Sequence, residues 1–518
     1  MRRIVKFMAL LVVLTLALTG CSRQNENNNG AARAVNNKNS ITLGGYRHLA
    51  PGVRDAFYCS KILGVWEPLI TRDAVGRPKG CLATSWQMLD GGKEWIFHLR
   101  QGVTFHNGTP FNADAVIKNF DRMGKGYKRS TFYGLDLKTF YPSLIKYEKL
   151  DDYTIRLLFS EPNINELYKM MDFGSPVFAP ECFADDGNFS GVAIGTGPYK
   201  IAENQLNKYV RLVRNDNYYG EKAHIPEIIV RNIPNADVRY AALKAGEIMG
   251  VLDINAIPPF LAEEIQKDKR FAVSSNKSSM IRFLHLNGGK FPFNDVRMRQ
   301  AVSLAIDRQD LVQALYLNYA VPTSNVLNYT SPYYKDFPVE YNLAKAKELA
   351  NEVLKGKRCE VVYCINGSEV LQKGEAELIA YWLREIGLDV TIQSLEYATM
   401  TKLLRKGEYD IARVQQGLPN GDPYSIFYTF MMADGGRNVS SSSHYKNDEV
   451  TELMHKVKHT VDANERRRIY DRIQQISVEE QPIVPLFNDK SIVAYSRHLK
   501  NYQALIYGVN LAEIEWVD

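Results

Sequence analysis

"EVVYCINGSEVLQKGEAELIAYWLREIGLDVTIQSL", residues 360–395, reads as a strand, a helix and a second strand. EVVYCI is short, apolar and rich in β-branched and aromatic residues, as a strand covered on both faces requires. GEAELIAYWLREIG places Leu378, Trp382, Leu383 and Ile386 on one side at helical spacing, and LDVTIQSL returns to a strand pattern. Further along, TMTKLLRKG (399–407) supplies another helix and YDIARVQQ (409–416) a third strand. A β-α-β-α-β order needs crossover connections, hence parallel strands with helices on both faces. This half of the chain is therefore predicted to be α/β.

The flanking segments extend that half. NDVRMRQAVSLAIDRQDLVQALY (294–316) predicts two helices broken near Asp307. DEVTELMHKVKHTV (448–461) and ANERRRIYDRIQQISVEEQ (463–481) predict two more, and PIVPLF (482–487) a strand that returns to the sheet. His455 and His459 stand four apart, a metal-chelating spacing, but Lys456 and Lys458 lie between them and a polar helix face accounts for the pattern better. ERRR (465–468) reads as the outer face of its helix, with Asp471 and Glu479 in compensation. The first half is less regular. EWIFHLRQGVTFHNG (94–108) alternates Trp95, Phe97 and Leu99 on one face, continues to Val103 and Phe105 as a second short strand, and closes on the Asn107-Gly108 turn. TPFNADAVIKNFDRM (109–123) offers Asn112 as a helix cap, with Ala115, Val116, Asn119 and Phe120 at helical spacing. DYTIRLLF (152–159) and YVRLVRN (209–215) are strands, and IGTGPYK (194–200) is a turn fixed by glycine and proline.

The chain starts with Arg2, Arg3 and Lys6 and an apolar run from Phe7 to Leu18 without an acid, the pattern of a signal peptide over residues 1–20. The run is too short for a permanent membrane span. Leu18-Thr19-Gly20-Cys21 resembles the lipobox of bacterial lipoproteins, which implies a lipidated Cys21 and a membrane-anchored, extracytoplasmic protein. The alternative is an uncleaved signal anchor. Residues 21–40, rich in asparagine, read as a flexible tether. The net charge of +6 loses three units with the signal, too mild a balance for nucleic acid as a partner. Five cysteines besides Cys21 are an odd number, which argues against a disulfide framework. No G-x-S-x-G elbow, phosphate loop, H-E-x-x-H or paired C-x-x-C is present, so no reaction motif marks an enzyme.

EWIFHLRQGVTFHNGTPFNADAVIKNFDRM (94–123) resembles the signature of the family 5 solute-binding proteins of ABC importers, which take up peptides, nickel complexes and opines. VWEPLI, LATSW, IGTGPYKI, RNDNYYGEKAHIPEIIVRNIPN, LHLN, DVRMRQAVSLAIDR, YDIA and GDPY follow in the family's order. The resemblance implies an α/β, two-lobe fold of the periplasmic-binding-protein type (type II, cluster C) with a ligand cleft between the lobes. The N-terminal lobe would comprise residues 41–275 plus 488–518, and the second lobe residues 276–487. It implies a monomeric, non-enzymatic receptor that closes on a small ligand and passes it to ABC permease and ATPase subunits, with no permanently bound cofactor.

Within the family the chain most resembles the nickel branch, through NDNYYGEKAHIPEIIVRNIP and VWEPLI, so a nickel chelate is the expected ligand and a short peptide the alternative; an enzyme or a sensor on the same scaffold is the reading of another class. Two departures stand against the same chelator: MMDFGSPVFAP (170–180) lacks the arginine of that branch, and Gln416 stands where it has a tryptophan. By analogy GYRHLAPGVRDAFYCSK (45–61) lines the cleft. There Arg47 and Arg54 could fork to a carboxylate, His48 could ligate nickel or else be a surface loop histidine, Tyr46 and Tyr58 could cover a flat complex, and Cys59 stands where some nickel binders have methionine. Tyr133 lies where an aromatic residue covers the chelate, or else packs its lobe. His498 is a second metal candidate if the C-terminal segment folds over the cleft, and otherwise a turn residue. Asp422, in the Asp-Pro of GDPY, either receives a peptide's amino terminus or caps a helix.

Overall fold

Two long strands thread the whole molecule, and the other elements arrange themselves around them. The computed structural model describes residues 36–517 except 50–60, 74–75, 126–136, 254–255, 368, 370, 418–422, 442 and 507. The expectations for Cys21, Arg54, Tyr58, Cys59, Tyr133 and Asp422 lie outside these residues.

The described chain enters on β1 (Ser40–Gly45) and a small hairpin, β2 (Ile70–Arg72) and β3 (Pro78–Gly80). Next come β4 (Ala83–Leu89), β5 (Glu94–Leu99), helix α1 (Ala113–Lys125), β6 (Leu144–Asp151) and β7 (Thr154–Phe159). These strands form an antiparallel sheet in the order β4-β5-β7-β6. Short helix α2 (Glu166–Met170) precedes β8 (Tyr199–Gln205), β9 (Tyr209–Arg214), β10 (Glu227–Asn232), β11 (Gly250–Val251) and the sixteen-residue β12 (Phe271–Leu286). The second part contains α3 (Val296–Ala305), α4 (Arg308–Tyr316), β13 (Cys359–Asn366), α5 (Gln372–Glu385), β14 (Leu388–Leu395) and β15 (Ile411–Gly417). It closes with α6 (Asp448–His459), α7 (Ala463–Glu480) and β16 (Val484–Ser496).

The predicted parallel unit is present: β13 pairs in parallel with β14 and with β15. It is not a separate sheet, however. Eleven strands join in one sheet ordered β8-β9-β10-β1-β11-β16-β12-β15-β13-β14, with Ala320–Pro322 added on β16. β12 and β16 run antiparallel to each other, first from Phe271 against Ser496 to Lys277 against Lys490, then, past a bulge, from Ile281 against Asn488 to Leu284 against Val484. Phe271, Ile492 and Val493 belong to a core with β1, β9 and β10, whereas Leu284, Leu286 and Phe487 belong to one with α3, α4 and α5. A third core fills the β4–β7 sheet under α1, and a fourth lies under α6 and α7. The fold is thus two-lobed and α/β, with both lobes sharing one sheet.

Local sequence chemistry accounts for most element ends. Asn112 Oδ1 accepts from the Ala115 amide at 3.1 Å at the start of α1, and Ala115, Val116, Asn119 and Phe120 are buried along it. Asp295 and Asp307 cap α3 and α4 through their side chains, which is why the helix breaks where predicted. Residues 103–105 do not form the expected strand. Phe105 N–H donates to Thr109 O at 2.8 Å, leaving a single bridge between Thr104 and Pro110, because the chain turns back at once through Gly108 (φ 87°). Gly195 and Gly197 serve close approach: a Cβ would lie 2.2 Å from Val65 O at the first and 2.3 Å from Gly64 O at the second. Of the arginines in ERRR, Arg467 and Arg468 are exposed, but Arg466 is buried, contrary to expectation. His455 and His459 are both exposed on α6, and among the described residues no group of three His, Cys, Asp or Glu forms a metal cluster. No helix among them is long and apolar enough to cross a membrane.

His285, on β12, is fully buried, and neither ring nitrogen has a hydrogen-bond partner among the described residues. Its ring meets Phe430 edge-on at 6.1 Å. Burial, then the nearby Arg437 charge, push its pKa down to about 3. The unfolded chain therefore binds one proton more between that value and about 6.5. This share of stability is complete above the upper limit and falls by about 1.4 kcal/mol for each pH unit below it. His285→Leu is expected to flatten the loss of stability between pH 6.5 and 4.5, read from urea midpoints across that range.

Candidate functional site

A cavity of about 930 Å³ opens where the lobes face each other. The first lobe contributes Lys61, Trp66, Glu67 and Arg72, the second contributes Tyr329, Thr330 and Ser331, and β12 contributes Asn276 and Lys277. The lobes come close at this wall, since a Cβ on Gly76 would lie 2.9 Å from Thr330 O.

The wall rests on a buried carboxylate. Asp172 follows α2 by two residues, adopts φ 54°, and has a fully buried side chain. Oδ1 accepts from Lys61 Nζ and from Thr71 Oγ1 at 3.1 Å, and Oδ2 accepts from Arg72 Nε at 2.6 Å. Burial alone would raise this carboxyl, but the Lys61 and Arg72 charges outweigh it and hold Asp172 below its usual range. Lys61 is itself pulled down by burial, with Asp172 opposing. The arrangement holds two cations side by side on the cavity surface, which their mutual repulsion would otherwise spread apart.

A second carboxylate ties together three motifs distant in sequence. Glu67, of VWEPLI, accepts from Thr196 Oγ1 at 2.9 Å, Tyr218 OH at 2.7 Å and Tyr219 OH at 2.8 Å. Burial raises its pKa and these hydroxyls draw it back. Cys81 lies beside it, Sγ to Oε1 at 3.8 Å, its thiol pushed up by burial and by the Glu67 charge. IGTGPYKI and NDNYYG thus meet VWEPLI at one point, which fixes the aromatic side of the cavity.

The residues expected at the site from sequence are dispersed. Tyr46 packs on the first core, with Arg47 5.2 Å from its ring centroid. Arg47 Nε donates to the buried Asp253 at 2.8 Å. His48 Nε2 pairs with Asn204 Oδ1 at 2.8 Å, its Nδ1 is buried without a hydrogen-bond partner among the described residues, and burial lowers its pKa. Gln416 is half-buried near the end of β15, its amide donating to Gly417 O at 3.1 Å. His498 is exposed and stacks on Trp516 at 5.4 Å. None of these five lines the cavity, and the structure does not bring His48 and His498 together around it. Sequence reasoning missed Lys61, Arg72 and Asp172. The absence of an arginine from MMDFGSPVFAP was visible, but not that this segment supplies an anion for cations carried on neighbouring elements.

The profile of the bacterial extracellular solute-binding proteins, family 5 (middle), matches residues 77–438. The chain belongs to this family. It is a substrate-binding protein of an ABC importer, and its relatives are solute-binding proteins. A probable D,D-dipeptide-binding periplasmic protein of Escherichia coli (strain K12) is 26% identical over 432 residues, 82% of each chain. The nickel-binding periplasmic protein of the same organism is 28% identical over 372 residues, covering 67% of this chain and 68% of the relative. In fold, this family 5 protein matches NikA from Brucella suis in complex with Fe(III)-EDTA, with a TM-score of 0.81 at 22% identity over 92% of this chain and all of the other.

Asp172→Asn keeps the size of the side chain but removes the charge between Lys61 and Arg72. Breaking a buried ion pair from one side costs about 3 kcal/mol. The variant is therefore expected to unfold at correspondingly lower urea, with Lys61→Met less affected because that side chain is 22% exposed.

Proposed function

We propose that the cavity between the lobes receives a small ligand bearing both a carboxylate and an amine, in the first instance a short peptide. The observation that carries this reading is the Lys61 and Arg72 pair fixed by buried Asp172 at the wall. A guanidinium and an ammonium held next to each other suit a carboxylate, and they need no rearrangement to bind it. Acidic Glu221 lines the same cavity and offers the opposite charge for an amine. Lobe closure around such a ligand removes water and strengthens these contacts. The proposed lobes are 41–275 plus 488–518 and 276–487, joined where β12 and β16 pass from one core to the other.

A nickel chelate is the second reading. The same two cations would take the carboxylates of a chelator, and a nickel-binding relative is 28% identical. In that case the protein reaches the metal through its carrier, with His48 and His498 outside the cavity. The partners are ABC permease and ATPase subunits, and anchoring through a lipid on Cys21 keeps the monomeric receptor at the outer face of the membrane, near them.

Titration calorimetry of the protein with di- and tripeptides, and separately with nickel plus free histidine, decides between these. Peptide binding weakened about tenfold or more in Lys61→Met supports the first reading, since hydrogen bonds to charged groups are worth that much. Binding of the nickel complex alone establishes the second. Cys21→Ser is expected to move the protein from the membrane to the soluble fraction.

A further inference from the structure

The buried member of the ERRR run marks a contact remote from the cavity. Arg466 on α7 is 7% exposed, and its guanidinium donates to Asn165 Oδ1 of the other lobe. Asn165 Nδ2 in turn donates to Tyr470 OH at 3.3 Å. Beside them Lys458 on α6 pairs with Glu161, and the Tyr168 ring lies 6.4 Å from that of Tyr333. Tyr168 packs against both the core under α1 and the core under α6 and α7, so this cluster joins elements of opposite lobes.

We propose that the Asn165–Arg466 contact is a clasp between the lobes that sets the closed fraction of the protein, and through it the apparent ligand affinity, without touching the ligand. The clasp is weak by construction. The acceptor facing Arg466 is a neutral amide, Arg466 Nε has no hydrogen-bond partner among the described residues, and Tyr333 gives the cation an aromatic face at 5.8 Å. Burying a guanidinium against a neutral partner recovers little of its hydration, so closure is only marginally favoured and a small ligand contribution tips it. Asn165 immediately precedes α2, and Asp172 follows α2 by two residues. Opening the clasp therefore displaces the same short segment that holds Lys61 and Arg72 in place. Apparent affinity scales with the closed, binding-competent fraction. The affinity part of the inference rests on the cavity being the ligand site; the lobe-closure part does not.

Hydrogen exchange by mass spectrometry on the full chain in mild detergent, with no ligand added, tests closure independently of what the cavity binds. Asn165→Ala and Glu161→Lys are expected to accelerate exchange in both 161–171 and 458–470 by about tenfold, and Asn165→Asp, which offers Arg466 a charge, to slow both by a similar factor. Exchange across β12 in the same samples reports that the fold is retained. The inference is overturned if neither segment responds in variants with native β12 protection. It is equally overturned if 161–171 responds while 458–470 does not, which would be local fraying of α2, or if Asn165→Asp exchanges as fast as Asn165→Ala.

Discussion

Both lobes depend on the backbone ladder between β12 and β16. Each strand is long enough to serve one core with its first part and another with its second, and the bulge between Lys277 and Ile281 is where the pair changes cores. Just beyond it Arg282 forks onto Asp489 with contacts of 2.6 to 3.0 Å, both side chains nearly buried. Tyr329, a cavity residue, donates to Asp489 O at 2.7 Å on the same stretch of β16. The place where the two cores exchange strands is therefore stapled by a charge pair and touches the cavity wall.

Buried charge recurs among the described residues, neutralised by a carboxylate in some places and by carbonyls or aromatic rings in others. Arg413 is held by Glu375 in the interior of the second lobe, and Tyr316 donates to the same carboxylate at 2.7 Å. Arg308 has no carboxylate among its hydrogen-bond partners; it donates to Ser303 O and Pro485 O, both at 2.7 Å, and burial lowers its pKa to about 10. Ser303 O lies in the last turn of α3, where unsatisfied carbonyls present partial negative charge. Arg122 is enclosed by Phe178, Phe183 and Phe189 at 4.6 to 5.9 Å. Arg466 differs from these in lying where α7 meets Asn165, with its Nε left without a hydrogen-bond partner among the described residues.

The family motifs acquire a physical reason in the Glu67 knot. A half-buried glutamate next to Trp66 needs donors; Thr196 provides one from the turn whose Gly195 and Gly197 pack closely on Val65 and Gly64, and Tyr218 and Tyr219 provide two more. Residues separated by about 150 positions in sequence are thereby bound to one carboxylate. This part of the cavity was legible only as recurring words in the sequence, since nothing in VWEPLI by itself says which hydroxyls will answer the acid.

What the sequence determined by itself is local: the helices capped at Asn112, Asp295 and Asp307, the parallel strands β13, β14 and β15, and the membership of a binding-protein family. The helices and strands follow from periodicity, capping and short connections, which act over a few residues, and the family membership from the resemblance of quoted motifs. The tertiary structure decided what depends on distant partners. It joined the parallel unit to the first half in a single sheet, turned Phe105 back into a core instead of a strand, buried Arg466 between lobes, and set Asp172 between Lys61 and Arg72. Tyr46, Arg47 and His48 are expected at the site because the family resemblance puts their loop at the cleft; Asp253 and Asn204, far along the chain, claim Arg47 and His48 instead. A side chain's own chemistry states what it can bind, but the fold chooses the partner, because the desolvation of a buried charge is repaid only by whichever group the packing brings within hydrogen-bond reach.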